Sequence, residues 1–434
     1  MSRTRAHAAA TRPRRWRFGA ALMLIVPLLL GASLGGVRAQ DEPLRIGTLF
    51  PITGDLSDFG PAFFNSAELA VNQINEGGGV NGQPVELIPG DTATSPQQAV
   101  EEARRLIEIE GVSALVGPAG SGEALPVAES VAGPAGVPVI SPSATSPALS
   151  VANDNGVFFR TTISDAAQGV VIADLALEQG YATACVLYVN NAYGQGLNDA
   201  FAERFTAEGG EVTAQVPHEQ EQASYASELA TCTADNPDVM IAIGYPESGG
   251  VFLRELIEAG DPPALLLSDG LLSEDLFAEL GWESFAGTIG TAAGGAESEA
   301  STAYTDAYTD AYGEAQAVPY LREVYDAVFL IAAAAQAAGA NDAASILGEL
   351  QAVASAPGTV LAGGVEGWQA ATEALAAGED VDYEGASGPV DLDENGDVVL
   401  GAIRVWSVEG EEIVDIETRE IDLTGAAAEA TPTS

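Results

Sequence analysis

Residues Val137–Pro147 read VPVISPSATSP, a short apolar run that stops in a cluster of small hydroxyl residues and prolines. Val137–Ile140 has the composition of a buried strand. In an open α/β sheet, ligands sit in the crevice beyond the strand carboxyl ends. The loop of Ser143, Ala144 and Thr145 therefore stands where a ligand is met. Prolines restrict such a loop, while Ser143 and Thr145 offer hydroxyls and free N–H groups. Upstream, ALVGPAGSGEA (Ala114–Ala124) is a second strand end, with Ser121 just before a helix. Neutral hydroxyls and helix N-terminal amides suit a carboxylate. An ordinary Ser/Pro loop with a capping serine accounts for the same residues.

Outward from this stretch the chain alternates strand and helix. LRIGTLFPI (Leu44–Ile52) reads as a first strand, and Phe63, Ala67, Ala70, Val71 and Ile74 recur on one helix face. PVELI is a second strand, Ala99, Ala103, Leu106 and Ile107 mark a second helix, and VSALVG precedes VPVIS. Such a series argues for a parallel sheet with helices on both faces. The same grammar restarts after FFRTTISD (Phe158–Asp165), with strands TACVLYV, EVTAQVP, VMIAIGY and ALLLSDG separated by helical patterns. Two α/β lobes follow, with a first crossing at Arg160–Thr162. From about 290 the chain returns to the first lobe through AYTDAYTDAYG and an Ala-rich helix, Leu321–Ala338. SGPVDLDENGDVVLGAIRVWSV reads as two strands around an Asn-Gly turn at Glu394–Asp397. Asp391, Asp393, Asn395 and Gly396 imitate a calcium loop, but the twelfth position is Ala402 where that loop needs a bidentate glutamate.

Charge and composition exclude several function classes. Residues 1–39 carry an arginine-rich start, the apolar run FGAALMLIVPLLL and a small-x-small end, Val37-Arg38-Ala39. This is the pattern of a cleaved secretory signal and predicts a periplasmic or extracytoplasmic protein. Seven of the 16 basic residues lie in that segment, so nine arginines face 63 acids beyond it, a formal charge near −54. Nucleic acid and anionic lipid are repelled by such a surface. High salt or low pH would each accommodate it. No lysine is present, which excludes Schiff-base chemistry and a phosphate-loop lysine, and His218 is the sole histidine beyond residue 39. Metal sites and cofactors are not expected. Cys185 and Cys232 form either a disulfide of an exported protein or two buried thiols.

Candidate ligand groups recur at the strand ends of the second lobe. VLYVNNAYGQG places Tyr193 after a strand, IAIGYPESGG places Tyr245 likewise, and LLLSDG ends on Asp269. A carboxylate at a sheet edge pairs with an ammonium group, and tyrosines enclose a small ligand with an apolar face and a hydroxyl. Taken singly, each of these also fits an exposed loop tyrosine or a capping acid.

The ordered series LRIGTLFPITGDLSDFG, GGGVNGQPVELIPGDTATSPQQAVEEARRLI, LVGPAGSGEA, PVISPSATSPAL, FFRTTISDAAQG, NNAYGQGL and DENGDV resembles the branched-chain amino acid-binding proteins of ABC importers. These are type I periplasmic binding proteins, and the likeness spans roughly residues 44–415. The resemblance implies an α/β fold of two Rossmann-like lobes with parallel-type sheets, joined by three hinge crossovers. Lobe 1 would comprise 41–160 and about 290–400, and lobe 2 161–289 and about 401–423, before a disordered tail at 424–434. It also implies a ligand site: Ser121, Ser143, Ala144 and Thr145 on a carboxylate, Tyr193 and Tyr245 in the second lobe, Asp269 on an ammonium group, and Tyr320 along the ligand side chain. The family's acid is glutamate in its best-known members, and Gly120 stands where the family has a cysteine before the serine. Expected is a monomeric, non-enzymatic solute-binding protein handing a branched-chain or related neutral amino acid to a membrane permease. An amide or urea-type solute, a ligand-sensing module and an exported α/β enzyme are the alternatives.

Overall fold

The computed structural model describes residues 42–260, 262–295, 297–313, 317–355, 357–424 and 429–432. The signal reading of residues 1–39 lies outside them.

Five strands make the first sheet: β1 (Leu44–Phe50), β2 (Val85–Asp91), β3 (Ala114–Val116), β4 (Val139–Ser141) and β5 (Phe158–Arg160). Their order is β2-β1-β3-β4-β5 and every pairing is parallel. β1, β3 and β4 are buried almost throughout, as central strands covered on both faces must be. The helix Gly60–Glu76 buries Phe63, Ala67, Ala70, Val71 and Ile74, the face that the apolar spacing predicts.

The second sheet begins with β6 (Thr183–Val189), β7 (Glu211–His218), β8 (Val239–Ile243), β9 (Ala264–Leu267) and β10 (Ile289–Ala293), in the order β10-β9-β8-β6-β7 and all parallel. The chain leaves this sheet after Ala293. A small third sheet follows, built from β11 (Thr359–Ala362), β12 (Val381–Gly385) and β13 (Gly388–Pro389). The chain then returns through β14 (Leu400–Glu409), antiparallel to β10, and β15 (Glu412–Asp422). The long hairpin is thus β14–β15, turning at Gly410. At Glu394–Asp397, where sequence places a hairpin turn, the chain does turn back on itself, but the pairing is short. Leu392 and Val398 form an antiparallel bridge, Asp393 N donates to Asp397 O at 2.9 Å and Val399 N to Asp391 O at 3.1 Å. The Asp393 side chain holds that turn by accepting from the N–H groups of Asn395 at 2.8 Å and Asp397 at 3.0 Å. Part of the tail read as disordered is a strand instead. β16 (Glu429–Pro432) pairs antiparallel with β15, whose edge otherwise offers a row of unpaired backbone groups.

The helix Leu321–Ala338 is the spine of the first lobe. Ala332–Ala335 are wholly buried, and such small side chains let neighbouring backbone come close. Asp326 on this helix pins the turn after β12. It accepts from Tyr383 Oη at 2.7 Å, Ala386 N at 2.8 Å, Ser387 N at 2.8 Å and Ser387 Oγ at 2.5 Å. In the second lobe Cys185 of β6 and Cys232 of the helix Ala226–Cys232 are joined in a disulfide, with Cα atoms 5.5 Å apart.

Candidate functional site

The strand ends of the two sheets face each other. Ser121 opens the short helix after β3, and its Oγ accepts from Ser146 N at 3.1 Å. Ser143 lies in the loop after β4 and donates to Ala119 O at 3.0 Å. From the second sheet, Asn191 caps the helix Ala192–Ala207, accepting from Gly194 N, and this positions Tyr193 in the first turn. Tyr245 follows β8 and Asp269 follows β9. Tyr193 and Tyr245 stack with ring centroids 5.7 Å apart. The chain at Gly270 passes so close to Gly244 O that a Cβ there would collide with it. Only glycine fits, and its backbone lies against both Tyr193 and Tyr245.

Asp269 is the hub. Tyr193 Oη donates to its Oδ1 at 2.7 Å, Gln168 Nε2 to the same oxygen at 2.8 Å, and Tyr320 Oη to its Oδ2 at 2.6 Å. Burial nevertheless holds its carboxyl above the usual range, the three donors offsetting part of that rise. Tyr320 caps the helix Leu321–Ala338 with φ 72°, a left-handed conformation that a non-glycine residue adopts at a cost.

Ser121, Ser143, Tyr193, Tyr245, Asp269 and Tyr320 therefore line one chamber, together with Leu56 and Phe59. Its volume is about 20 Å³, room for a water-sized group, so admitting an amino acid requires the two lobes to part. They meet tightly here. Ser146 Oγ donates to Ala192 O across the gap at 2.7 Å, and a Cβ on Gly196 would lie 2.8 Å from Pro147 Cδ. Ala144 and Thr145 are fully buried behind the chamber wall rather than on it. Ala144 N donates to Ser141 Oγ at 3.0 Å, and the Thr145 hydroxyl faces Asp165 without closing a short hydrogen bond.

Sequence reasoning assigned no role to four neighbours. Asp165 and Gln168 sit three residues apart on the first turn of the helix Asp165–Glu178, just past the first crossing. Asp165 is wholly buried and neither carboxylate oxygen has a hydrogen-bond partner. Burial first, and Asp269 second, push its carboxyl well above the usual range, against the pull of Thr145 and Arg160. Glu123 is 2% exposed. Its Oε2 accepts from Gly120 N at 3.2 Å, and burial pushes it up to about 7. Asn191 donates to Tyr245 Oη at 3.0 Å. An acid and an amide at i and i+3, directly after a strand end, were the available signal for the first pair.

Arg160 is the cation that acts on Asp165. It is wholly buried and committed elsewhere, to Asp397 by an ion pair at 2.7 Å and to Ala144 O at 3.3 Å, Ser146 O at 3.1 Å and Ser150 Oγ at 2.9 Å. Among the described residues the chamber wall thus presents acid with no counter-charge of its own, and so favours a ligand that supplies a positive group. A larger cavity, about 810 Å³, lies away from this chemistry, against the third sheet beside Tyr304, Tyr325 and Val360.

A family model described as periplasmic binding protein matches residues 43–411. The chain is 30% identical over 394 residues to the chemotactic signal transduction system substrate-binding protein BasB of Halobacterium salinarum, covering 88% of this chain and 91% of that one. It is 29% identical to Leu/Ile/Val-binding protein homolog 3 of Brucella melitensis, over 74% of this chain and 86% of that one. The leucine-binding protein LivK of Thermotoga maritima shares the fold, with a TM-score of 0.73 at 24% identity, covering 86% of this chain and 98% of that one.

Proposed function

The chain belongs to the periplasmic binding protein family, and from that premise we propose that it captures a neutral amino acid between two closing lobes and presents it to the permease of an ABC importer. The observation that carries this is the chamber itself. Hydroxyls from the first sheet, Ser121 and Ser143, and aromatic and acidic groups from the second, Tyr193, Tyr245 and Asp269, converge on one enclosed space. An α-amino acid presents a carboxylate to one end of such a site and an ammonium group to the other. The carboxylate goes to Ser121 and Ser143, with Thr145 and the Ala144 backbone supporting their loop. The ammonium group goes to Asp269, with Asp165 behind it, and Tyr320 lies along the side chain. Contacts from both lobes give the closed form its extra affinity, and only that difference drives closure.

The chain acts outside the cytoplasmic membrane, as a monomer, and without turnover of its solute. A second reading is a sensing module that reports solute to a receptor. It is favoured by the 30% identical relative BasB, a chemotactic signal transduction system substrate-binding protein. A thermal-shift screen over the twenty amino acids, their amides and urea analogues tests the solute class, because a ligand bound only by the native state raises its melting temperature. A shift with an L-amino acid and none with its amide supports the proposal. The reverse result replaces the amino acid with an amide. Uptake by a permease reconstituted with the loaded protein then separates delivery from sensing.

A further inference from the structure

The two lobes also meet outside the chamber, at the mouth of the cleft, and there acid meets acid. Asp55, just past β1, is 2% exposed, and its Oδ2 has no hydrogen-bond partner. The groups facing it come from the second lobe: Glu221 in the loop after β7, Glu247 at the start of the helix Pro246–Ala259, and the phenols of Tyr225 and Tyr245. The hydroxyl and amide of Ser248 lie beside it and offset part of its burial. Contact is direct, since Glu247 N approaches Asp55 O at 3.4 Å and Ser57 Oγ approaches Glu247 Oε1 at 3.4 Å. Among the described residues no arginine faces this cluster. His218 packs behind Tyr225 with ring centroids 5.2 Å apart, and burial lowers its affinity for a proton. A second acid repeats the arrangement: Asp58 accepts from Ser273 Oγ at 2.8 Å, opposite Asp275 and Glu279.

We propose that closure of the lobes takes up a proton at Asp55, so that acid favours the closed form and rising pH opposes it. The proposal rests on the two-lobe capture described above. In an open form Asp55 is solvated. Closing removes its water and sets it beside Glu221 and Glu247 with no cation between, and a buried unpaired carboxylate is relieved by protonation. In the closed structure burial pushes Asp55 up to about 6 from an ordinary 3.8. The closed form therefore holds the proton to higher pH than the open form. The closed-to-open ratio falls as pH climbs through the interval between those two values, by up to about a hundredfold, and is flat above it.

Spin labels on Gln97→Cys and Ala223→Cys, exposed positions beside the mouth in the first and second lobes, report the gap in the ligand-free full chain at constant ionic strength. The short distance should dominate at pH 4.5 and give way to a longer one by pH 7. Asp55→Asn should hold the short distance to higher pH than wild type, the remaining response being that of Asp58, Asp165 and Asp269. Glu221→Gln with Glu247→Gln should keep the response but move it to lower pH, and this pair carries the test if Asp55→Asn does not fold. A distance that ignores pH, an unchanged response in Asp55→Asn, or an unmoved midpoint in the glutamine pair overturns the proposal. Leucine binding alongside a pH-invariant distance would overturn the proton step and leave capture standing.

Discussion

Arg160 Nε lies 2.7 Å from Asp397 Oδ1, and this pair ties the first crossing between the lobes to the turn that precedes β14. The same guanidinium holds the carbonyls of Ala144 and Ser146. One buried cation therefore sets both a hinge and the loop that carries Ser143 and Thr145.

Breaking that pair from one side leaves Asp397 and two loop carbonyls without their donor. Arg160→Met should destabilise the protein by about 3–5 kcal/mol, the usual cost of stranding one half of a buried ion pair. Urea unfolding followed by circular dichroism measures it. A loss below about 1 kcal/mol would mean that water takes over the role of the arginine.

Asp269→Asn keeps the size but removes the charge and turns one of the two acceptor oxygens into a donor. Charge-assisted hydrogen bonds contribute roughly 1.5–3 kcal/mol against about 1 for neutral ones, so affinity for the solute found by thermal shift should fall about tenfold or more. Ser121→Ala should weaken the other end. A deaminated analogue of the solute should be indifferent to Asp269→Asn yet still sensitive to Ser121→Ala. Calorimetric titration of the two variants with both compounds decides it, and two silent variants would reject the site.

Tyr320 combines a strained backbone, φ 72°, with a phenol on Asp269. Comparing Tyr320→Gly with Tyr320→Ala isolates the backbone, because both lose the ring. The glycine variant should be the more stable by about 1 kcal/mol, since only the alanine pays the left-handed penalty. Thermal denaturation with matched baselines measures the difference, and equal stabilities would show that the helix start relaxes freely.

Buried acids fix the direction of the pH dependence. Burial pushes Glu123 and Glu323 each up to about 7 from an ordinary 4.5. The folded chain holds their protons to a higher pH than the unfolded chain does. Stability should therefore fall as pH rises from about 4.5 to about 7 and level off above. Glu123→Gln, which keeps the acceptor for Gly120 N, should match wild type near pH 4.5. At pH 8 it should exceed wild type by roughly 1–3 kcal/mol. Urea midpoints across that range check both statements.

Salt acts on the surface instead. Among the described residues eight arginines, Arg45, Arg105, Arg160, Arg204, Arg254, Arg322, Arg404 and Arg419, take part in ion pairs, far fewer than the 63 acids of the chain. Screening weakens their mutual repulsion, so melting temperature should rise as sodium chloride is added from low concentration. A flat curve would mean that the acids are compensated in another way.

Much of the fold was legible because it is local. The strand TACVLYV and the helix Leu321–Ala338 have the predicted bounds, since period and composition specify such elements without help from distant residues. Less legible were strands that depend on a neighbour. β10 is only five residues long, IGTAA, and carries little apolar signal, yet it completes the parallel run of the second sheet. Leu400–Glu409 pairs with Glu412–Asp422, and the run before Asn395 pairs across its turn only as far as Asp391 and Val399.

The sequence by itself determined the alternation that makes two α/β lobes, the acid excess, and the strand-end positions of Ser121, Ser143, Tyr193, Tyr245 and Asp269. Those follow from periodicity and residue chemistry, which are properties of short stretches. Only the tertiary structure decided that Asp269 is held by Tyr193, Gln168 and Tyr320 together, that Asp165 stands unpaired beside it, and that Ala144 and Thr145 support the wall instead of lining it. These residues are up to 176 positions apart, from Ala144 to Tyr320. Their meeting depends on how two sheets pack and where the crossings turn. Burial, which sets the charge state of each acid, exists only once that packing is complete.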